Sequence, residues 1–197
     1  MITILDYGAG NLRSVQNTLD EIGAEYELVR DATTLGRATK IILPGVGHFG
    51  QMMRALDQMQ VRDALLERIR AGIPFLGICL GLQALFESSE EAPHERGLGL
   101  FQGKIQRFSV GVRVPHMGWD EIEARNAAKL LANLTPHPYL YFAHSYFAPV
   151  NDATAATCTY TVPYTAVLET KNIFGVQFHP EKSGPLGLKI VRNFVEL

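Results

Sequence analysis

The sequence is poor in the features that mark several protein classes. Among 197 residues there are two cysteines, Cys79 and Cys158, far apart and in unlike contexts. That spacing excludes a disulfide framework and favours a reducing, cytoplasmic setting. Charge of neither sign dominates, since the net charge is −2. No basic run with interleaved aromatics occurs, so nucleic acid is not an expected partner. Nor is any apolar stretch long enough to span a membrane. The opening segment MITILDYGAG lacks a basic n-region and reaches Asp6 after five residues. It therefore reads as neither signal peptide nor anchor. Repeats and low-complexity tracts are missing too. No grouping of His, Cys and carboxylates has metal-ligand spacing, so neither metal nor cofactor is expected.

What is there is an ordinary globular mixture, 47% hydrophobic and 19% charged. Its length suits one domain over residues 1–197, with a core large enough to fold without staples. The first half alternates short apolar runs with amphipathic segments. Strands are predicted at 2–6, 26–29, 40–43 and 74–78, the first ending in a turn over 7–10. Asn11 is placed to cap a helix running to about Ile22, with Leu12, Val15, Leu19 and Ile22 on one face and Gly23 ending it. Further helices are predicted at 48–59, 61–71 (closed by Gly72) and 80–87. In the second half the pattern changes to strands at 104–108, 112–114, 119–122, 139–143, 154–160, 164–169 and 173–178, then a closing helix at 186–195. The expected fold is α/β: a central mixed, mostly parallel sheet flanked by helices, with antiparallel additions.

One segment carries the most chemistry. An apolar run enters Gly77-Ile78-Cys79-Leu80-Gly81, and a helix is predicted to follow. This has the form of a nucleophile elbow, a strand–turn–helix that lifts one side chain above the sheet. A helix N-terminus behind Cys79 favours the thiolate, and the amide of Leu80 points toward an oxyanion formed there. Cys158 has no such setting and reads as core.

Among six histidines, His179 stands out in Gly175-Val-Gln-Phe-His-Pro-Glu-Lys-Ser183. In extended chain, residues two apart point the same way, which sets His179 beside Glu181. A carboxylate beside an imidazole fixes its tautomer and stabilises the imidazolium, so Cys79, His179 and Glu181 are candidates for a catalytic triad. Of the others, His48 suits a helix opening, His94 a solvated loop and His137 a turn between prolines. An α/β-hydrolase also carries Gly-x-nucleophile-x-Gly, but its acid precedes its histidine. Here the histidine comes first and the acid follows two residues later.

Gly77-Ile-Cys-Leu-Gly-Leu-Gln83 with His179-Pro-Glu181 resembles the class I glutamine amidotransferases, whose domain is flavodoxin-like. Asp6-Tyr-Gly-Ala-Gly-Asn-Leu-Arg-Ser-Val15, Pro44-Gly-Val-Gly47, Pro115-His-Met-Gly-Trp119 and Gln177–Ser183 narrow the likeness. Together they resemble the glutaminase subunits of imidazole glycerol phosphate synthase, of histidine biosynthesis, from first strand to last helix. That resemblance implies hydrolysis of L-glutamine through a thioester on Cys79. Backbone amides of Leu80 and of Val46 and Gly47 would form the oxyanion hole, and Gln83, His144, Ser145 and Tyr146 would hold the glutamine. It also implies a heterodimer with a (β/α)₈-barrel cyclase that consumes the ammonia, with Asn11, Met117, Trp119 and Lys182 at the interface. His144, Tyr146 and Trp119 stand equally as core residues, and Lys182 as a solvated charge. The chain departs from the pattern at Asp120, where an Asn is usual, which bears on an interface or tunnel contact. The chain shows no phosphate-binding fingerprint of its own. An amidotransferase of another pathway fits less well, because of the segments at 6–15 and 115–119.

Overall fold

Apolar runs that alternate between two buried faces fix the architecture. A computed structural model of the protein describes residues 1–9, 11–109 and 111–197. In chain order the first half contains β1 (Ile2–Leu5), α1 (Leu12–Ile22), β2 (Tyr26–Val29), α2 (Ala32–Leu35), β3 (Ile41–Gly45), α3 (Phe49–Gln58) and α4 (Arg62–Arg70). Next come β4 (Phe75–Cys79), α5 (Leu80–Gln83), β5 (Phe86–Ser89), β6 (Phe101–Arg107), β7 (His116–Glu121) and β8 (Glu123–Ala124). The chain closes with β9 (Tyr139–His144), β10 (Tyr146–Phe147), β11 (Thr154–Tyr160), β12 (Val162–Glu169), β13 (Ile173–Val176) and α6 (Gly184–Val195).

The main sheet has the order β2-β1-β3-β4-β13-β12-β11-β8. From β2 to β13 all neighbours are parallel, and β12, β11 and β8 add on antiparallel. Ile42, Leu76 and Ile78 pack on one face against α1 and α6 through Val15, Leu19, Ile190 and Phe194. Ile41, Leu43 and Phe75 pack on the other against α3 and α4 through Met52, Leu56, Leu65 and Ile69. Burial on both faces is why these strands read as continuous apolar runs. Two small sheets, β10-β6-β5 and β7-β9, stand beside the main one.

Several local expectations are corrected. The helix predicted at 80–87 is one turn, α5; Phe86–Ser89 instead pairs with β6. Leu85 and Phe86 are fully buried, so tertiary packing overrides helical propensity there. Residues 112–114 are bends and irregular chain, not a strand, and β7 begins at His116. Asn11 does sit at the start of α1, but its side-chain oxygen accepts from the Ser14 hydroxyl at 2.8 Å rather than from a backbone amide. Gly23 ends α1 at φ +77, as a left-handed cap requires. Gly10, at the end of the predicted 7–10 turn, lies outside the described residues. Among the described residues no helix is long and apolar enough to cross a membrane.

Candidate active site

Three adjacent parallel strands, β3, β4 and β13, end together, and the chain leaving each carries one part of the site. Ligand sites in open α/β sheets form at such carboxyl ends. Val46 and Gly47 follow β3, Cys79 closes β4, and His179 comes three residues after β13. They line a cavity of about 170 Å³ with Leu80, Gln83, Glu91, Pro115, Ala143, His144, Ser145 and Tyr146.

Cys79 sits at φ +52, ψ −105, a conformation rare outside glycine and typical of a strained elbow. The turn closes because its flanking residues have no side chains. A Cβ on Gly77 would lie 2.5 Å from the Gly81 carbonyl, and one on Gly81 would lie 2.0 Å from the Leu43 carbonyl oxygen. The thiol is nearly buried, and Gln177 Nε2 donates to its sulfur at 3.5 Å. Gln83 Nε2 in turn donates to Gln177 Oε1 at 3.1 Å and to the Tyr146 carbonyl at 2.7 Å.

His179 Nδ1 lies 2.9 Å from Glu181 Oε1, both side chains buried. The pair is adjacent not because the chain is extended there but because Pro180–Lys182 is a 3₁₀ turn that brings Glu181 back to the ring. Proline suits that first position, where no amide hydrogen is needed. The His179 loop is pinned to β9, since His179 N–H donates to the Tyr141 carbonyl at 2.8 Å. Ser183 Oγ donates to the His179 carbonyl at 2.7 Å and accepts from Tyr141 N–H at 3.0 Å. Burial opposes a charge on His179, but the neighbouring Cys79 and Glu181 outweigh it and push the imidazole up to about 10. The other Glu181 oxygen is buried without a hydrogen-bond partner among the described residues. A carboxylate so poorly solvated stabilises a neighbouring imidazolium strongly.

The remaining candidates divide into two groups. His144 and Tyr146 reach the cavity wall: His144 Nδ1–H donates to the Tyr146 carbonyl at 2.8 Å, and burial drives its ring down to about 3. Ser145 lines the same wall and accepts from Phe108 N–H through its carbonyl. Met117 and Trp119 lie elsewhere, exposed on the outer face of β7. Lys182 Nζ stands 5.7 Å over the Tyr141 ring, and Trp119 meets the same ring edge-on at 6.1 Å. Asn11 is half-buried at the start of α1. Cys158 is buried in β11 with its thiol pushed up to about 12, chiefly by burial. His94 and His137 are exposed, and His48 Nδ1 accepts from Gly50 N–H to cap α3.

Two residues near Cys79 have no role assigned from sequence. Gln177 belongs to the segment 177–183 and to the strand expected at 173–178, and only the fold sets its amide against the sulfur. Glu91 lies in a polar loop, yet it lines the cavity and its Oε2 accepts from Phe49 N–H at 2.7 Å. Nothing in the local pattern around Glu91 separates it from its exposed neighbours.

The chain is similar to known proteins over its whole length. The family profile described as glutamine amidotransferase class-I matches residues 3–197. The imidazole glycerol phosphate synthase subunit HisH of Methanothermobacter thermautotrophicus is 47% identical over 198 residues, spanning 100% of this chain and 98% of that protein. That of Thermosynechococcus vestitus is 44% identical over 202 residues, spanning 100% and 96%. Among solved structures, a glutamine amidotransferase superposes with a TM-score of 0.78 at 18% identity, over 99% of this chain and 97% of that one. PurLQS from Thermotoga maritima gives 0.76 at 21%, again over 99% and 97%. These two share the fold. The chain belongs to the class I glutamine amidotransferases, in the family of imidazole glycerol phosphate synthase HisH subunits.

Proposed function

We propose that the chain hydrolyses L-glutamine through a Cys79–His179–Glu181 triad and hands the ammonia to a (β/α)₈-barrel cyclase subunit. The observation that carries this reading is the convergence of the strained Cys79, the Glu181-paired His179 and the Gly47 loop on one cavity. The Cys79 thiolate attacks the side-chain amide carbon, forming a carbon–sulfur bond. Leu80 N–H and an amide of the Val46–Gly47 segment receive the oxyanion. His179 gives its proton to the departing ammonia, then removes one from the water that cleaves the thioester. Glu181 keeps the ring oriented and its charge balanced. Gln83, His144, Ser145 and Tyr146 shape the glutamine pocket, and Glu91 is the carboxylate available for an α-ammonium group.

The oxyanion loop is a candidate switch. Tyr7 Oη donates to the Val46 carbonyl at 3.4 Å, and burial raises the Tyr7 hydroxyl well above its ordinary value, so it stays a donor. Gly47 at φ +99 tolerates rotation of the peptide before it. Met117, Trp119, Lys182 and Asn11 form the surface offered to the cyclase, with Trp119 as an anchor. The cyclase would use the ammonia to make imidazole glycerol phosphate and aminoimidazole carboxamide ribonucleotide.

Glutaminase assays with and without the cyclase and its nucleotide substrate test this. Low activity alone, stimulation by the loaded partner and loss in Cys79→Ala are expected. High turnover by the isolated chain would contradict partner dependence, and an active Cys79→Ala variant would contradict the triad.

A further inference from the structure

Strand β7 has two faces. Met117 and Trp119 point outward, while His116 and Asp120 point inward. His116 is buried, stacked between Tyr160 at 4.1 Å and Phe142 at 5.1 Å. A line of four polar contacts runs from it toward the cavity. Asp120 Oδ2 lies 3.2 Å from His116 Nε2, and His116 Nδ1 lies 3.2 Å from Tyr164 Oη. Tyr164 Oη lies 3.3 Å from His144 Nε2, and His144 Nδ1 lies 2.8 Å from the Tyr146 carbonyl. That carbonyl is the one Gln83 donates to, and Gln83 leads through Gln177 to the Cys79 sulfur.

The Tyr146 carbonyl only accepts, so His144 must carry its proton on Nδ1, and His144 Nε2 must accept. Tyr164 therefore gives its single hydroxyl proton to His144 and accepts from His116 Nδ1–H. If His116 is neutral, its Nε2 then presents a lone pair to a carboxylate, which also only accepts. Neutral His116, Tyr164 and His144 supply three protons for the four contacts between Asp120 and Tyr146.

We infer that Asp120, His116, Tyr164 and His144 are a positioning network for the glutamine pocket, complete only when the Asp120–His116 pair holds one additional proton. The inference rests on the glutaminase reading for its pocket but not for its hydrogen count. Burial keeps His144 neutral and Tyr164 protonated, which leaves the pair as the place for that proton. Burial pulls His116 down and Asp120 opposes this, so the pair is loaded on the acid side and loses the proton as pH rises. After that loss, the Asp120 charge holds His116 as the Nε2–H tautomer. Tyr164 then faces two accepting nitrogens with one proton, and its bond to His144 competes with one to His116. The other groups near the pair are Tyr160 and Cys158 on β11, with Glu121 and Glu123 flanking Asp120 at the surface. The Cys158 thiol, pushed up to about 12, stays neutral through this range.

The test is imidazole ¹⁵N spectroscopy of the full chain labelled at histidine, followed from pH 5 to 9, with glutamine affinity measured by calorimetry on Cys79→Ala. His144 is expected as the Nδ1–H tautomer throughout. His116 should carry hydrogen on both nitrogens, or share one with Asp120, at the acid end and become Nε2–H at the alkaline end. Asp120→Asn supplies an amide hydrogen in place of the extra proton, so its His116 should remain Nδ1–H without titrating. The glutamine Kd should rise about five-fold across the titration and stay flat in Asp120→Asn, the size of one lost hydrogen bond. Tyr164→Phe should give the weaker, flat affinity. A His116 spectrum independent of pH in the parent, or His144 found as Nε2–H, would overturn the network. A chain that binds no glutamine at any pH would instead sink the glutaminase reading, and the histidine spectra would still decide the network.

Discussion

Gln177→Met removes a side chain that donates to the Cys79 sulfur. Methionine keeps nearly the same length and fits a fully buried site, so the fold should survive. Two contacts disappear: the 3.5 Å bond to Cys79 Sγ and the 3.1 Å bond from Gln83. Gln83 keeps its 2.7 Å bond to the Tyr146 carbonyl, so the pocket wall is retained. A hydrogen bond to a charged acceptor contributes roughly 1.5–3 kcal/mol, and the long contact to sulfur argues for the lower end. Since the thiolate is the nucleophile, about 1.5 kcal/mol means about a ten-fold slower reaction of Cys79 at pH 7. Alkylation by a glutamine-like electrophile, read by mass spectrometry of the intact chain, measures this directly. Cys158 is an internal control, because its buried, neutral thiol should not react. Gln177→Glu, which places a negative charge beside the sulfur, should be slower still. If both variants fold natively and alkylate within two-fold of the parent, Gln177 does not stabilise the thiolate.

Gly81→Ala places a Cβ 2.0 Å from the Leu43 carbonyl oxygen, a backbone atom that cannot yield cheaply. The cost is about 3 kcal/mol or more, a fall in Tm of roughly 6–12 °C by calorimetry, with loss of Cys79 alkylation. His144 gives the acid limb of stability. Its folded value is depressed to about 3, so its contribution is full above about 6.5 and is lost as pH falls toward 3. Urea unfolding should show about 1.4 kcal/mol lost per pH unit in that window, and His144→Asn should flatten this part of the slope. Trp119→Ala removes a half-exposed aromatic ring from the outer face of β7. It should weaken cyclase binding by about 2 kcal/mol, roughly thirty-fold by calorimetry, while leaving Cys79 alkylation of the isolated chain unchanged.

The parts of the site readable from sequence are those whose partners lie within a few residues. The elbow is written in Gly77 and Gly81, because no other residue fits against the backbone of Leu43 and Gly81 itself. The His179–Glu181 pair is written in a two-residue spacing that several local conformations satisfy. Parallel order was legible from apolar runs buried on both faces. Less legible were contacts that join distant segments. Gln177 and Gln83 are 94 residues apart, and His116 and Tyr164 are 48 apart. No local pattern signals either pair. The short strands failed for a related reason: Phe86–Ser89 and Tyr146–Phe147 are strands only because Phe101–Arg107 lies between them.

On the proposed reading, the single turn of α5 (Leu80–Gln83) limits what a helix can do to activate Cys79. A helix macrodipole is a sum over aligned peptides, and its charge at the N-terminus grows with the number of turns. One turn supplies the Leu80 amide as a donor but little field beyond it. Stabilisation of the thiolate therefore falls to groups from other strands. The His179 imidazolium comes from the end of β13 with Glu181 behind it, and the Gln177 amide comes from the same segment. Both lie on the stretch that β9 pins through Tyr141, the ring that also carries Trp119 and Lys182 on its outer side. On the proposed partner surface, a subunit pressing on Trp119 and Lys182 would act on the strand that fixes His179 rather than on the elbow itself. Coupling between partner and chemistry should show first in the orientation of the base, with the Cys79 backbone unchanged. Backbone amide shifts of residues 177–183 moving on cyclase binding, while those of 77–81 hold, is the outcome this predicts.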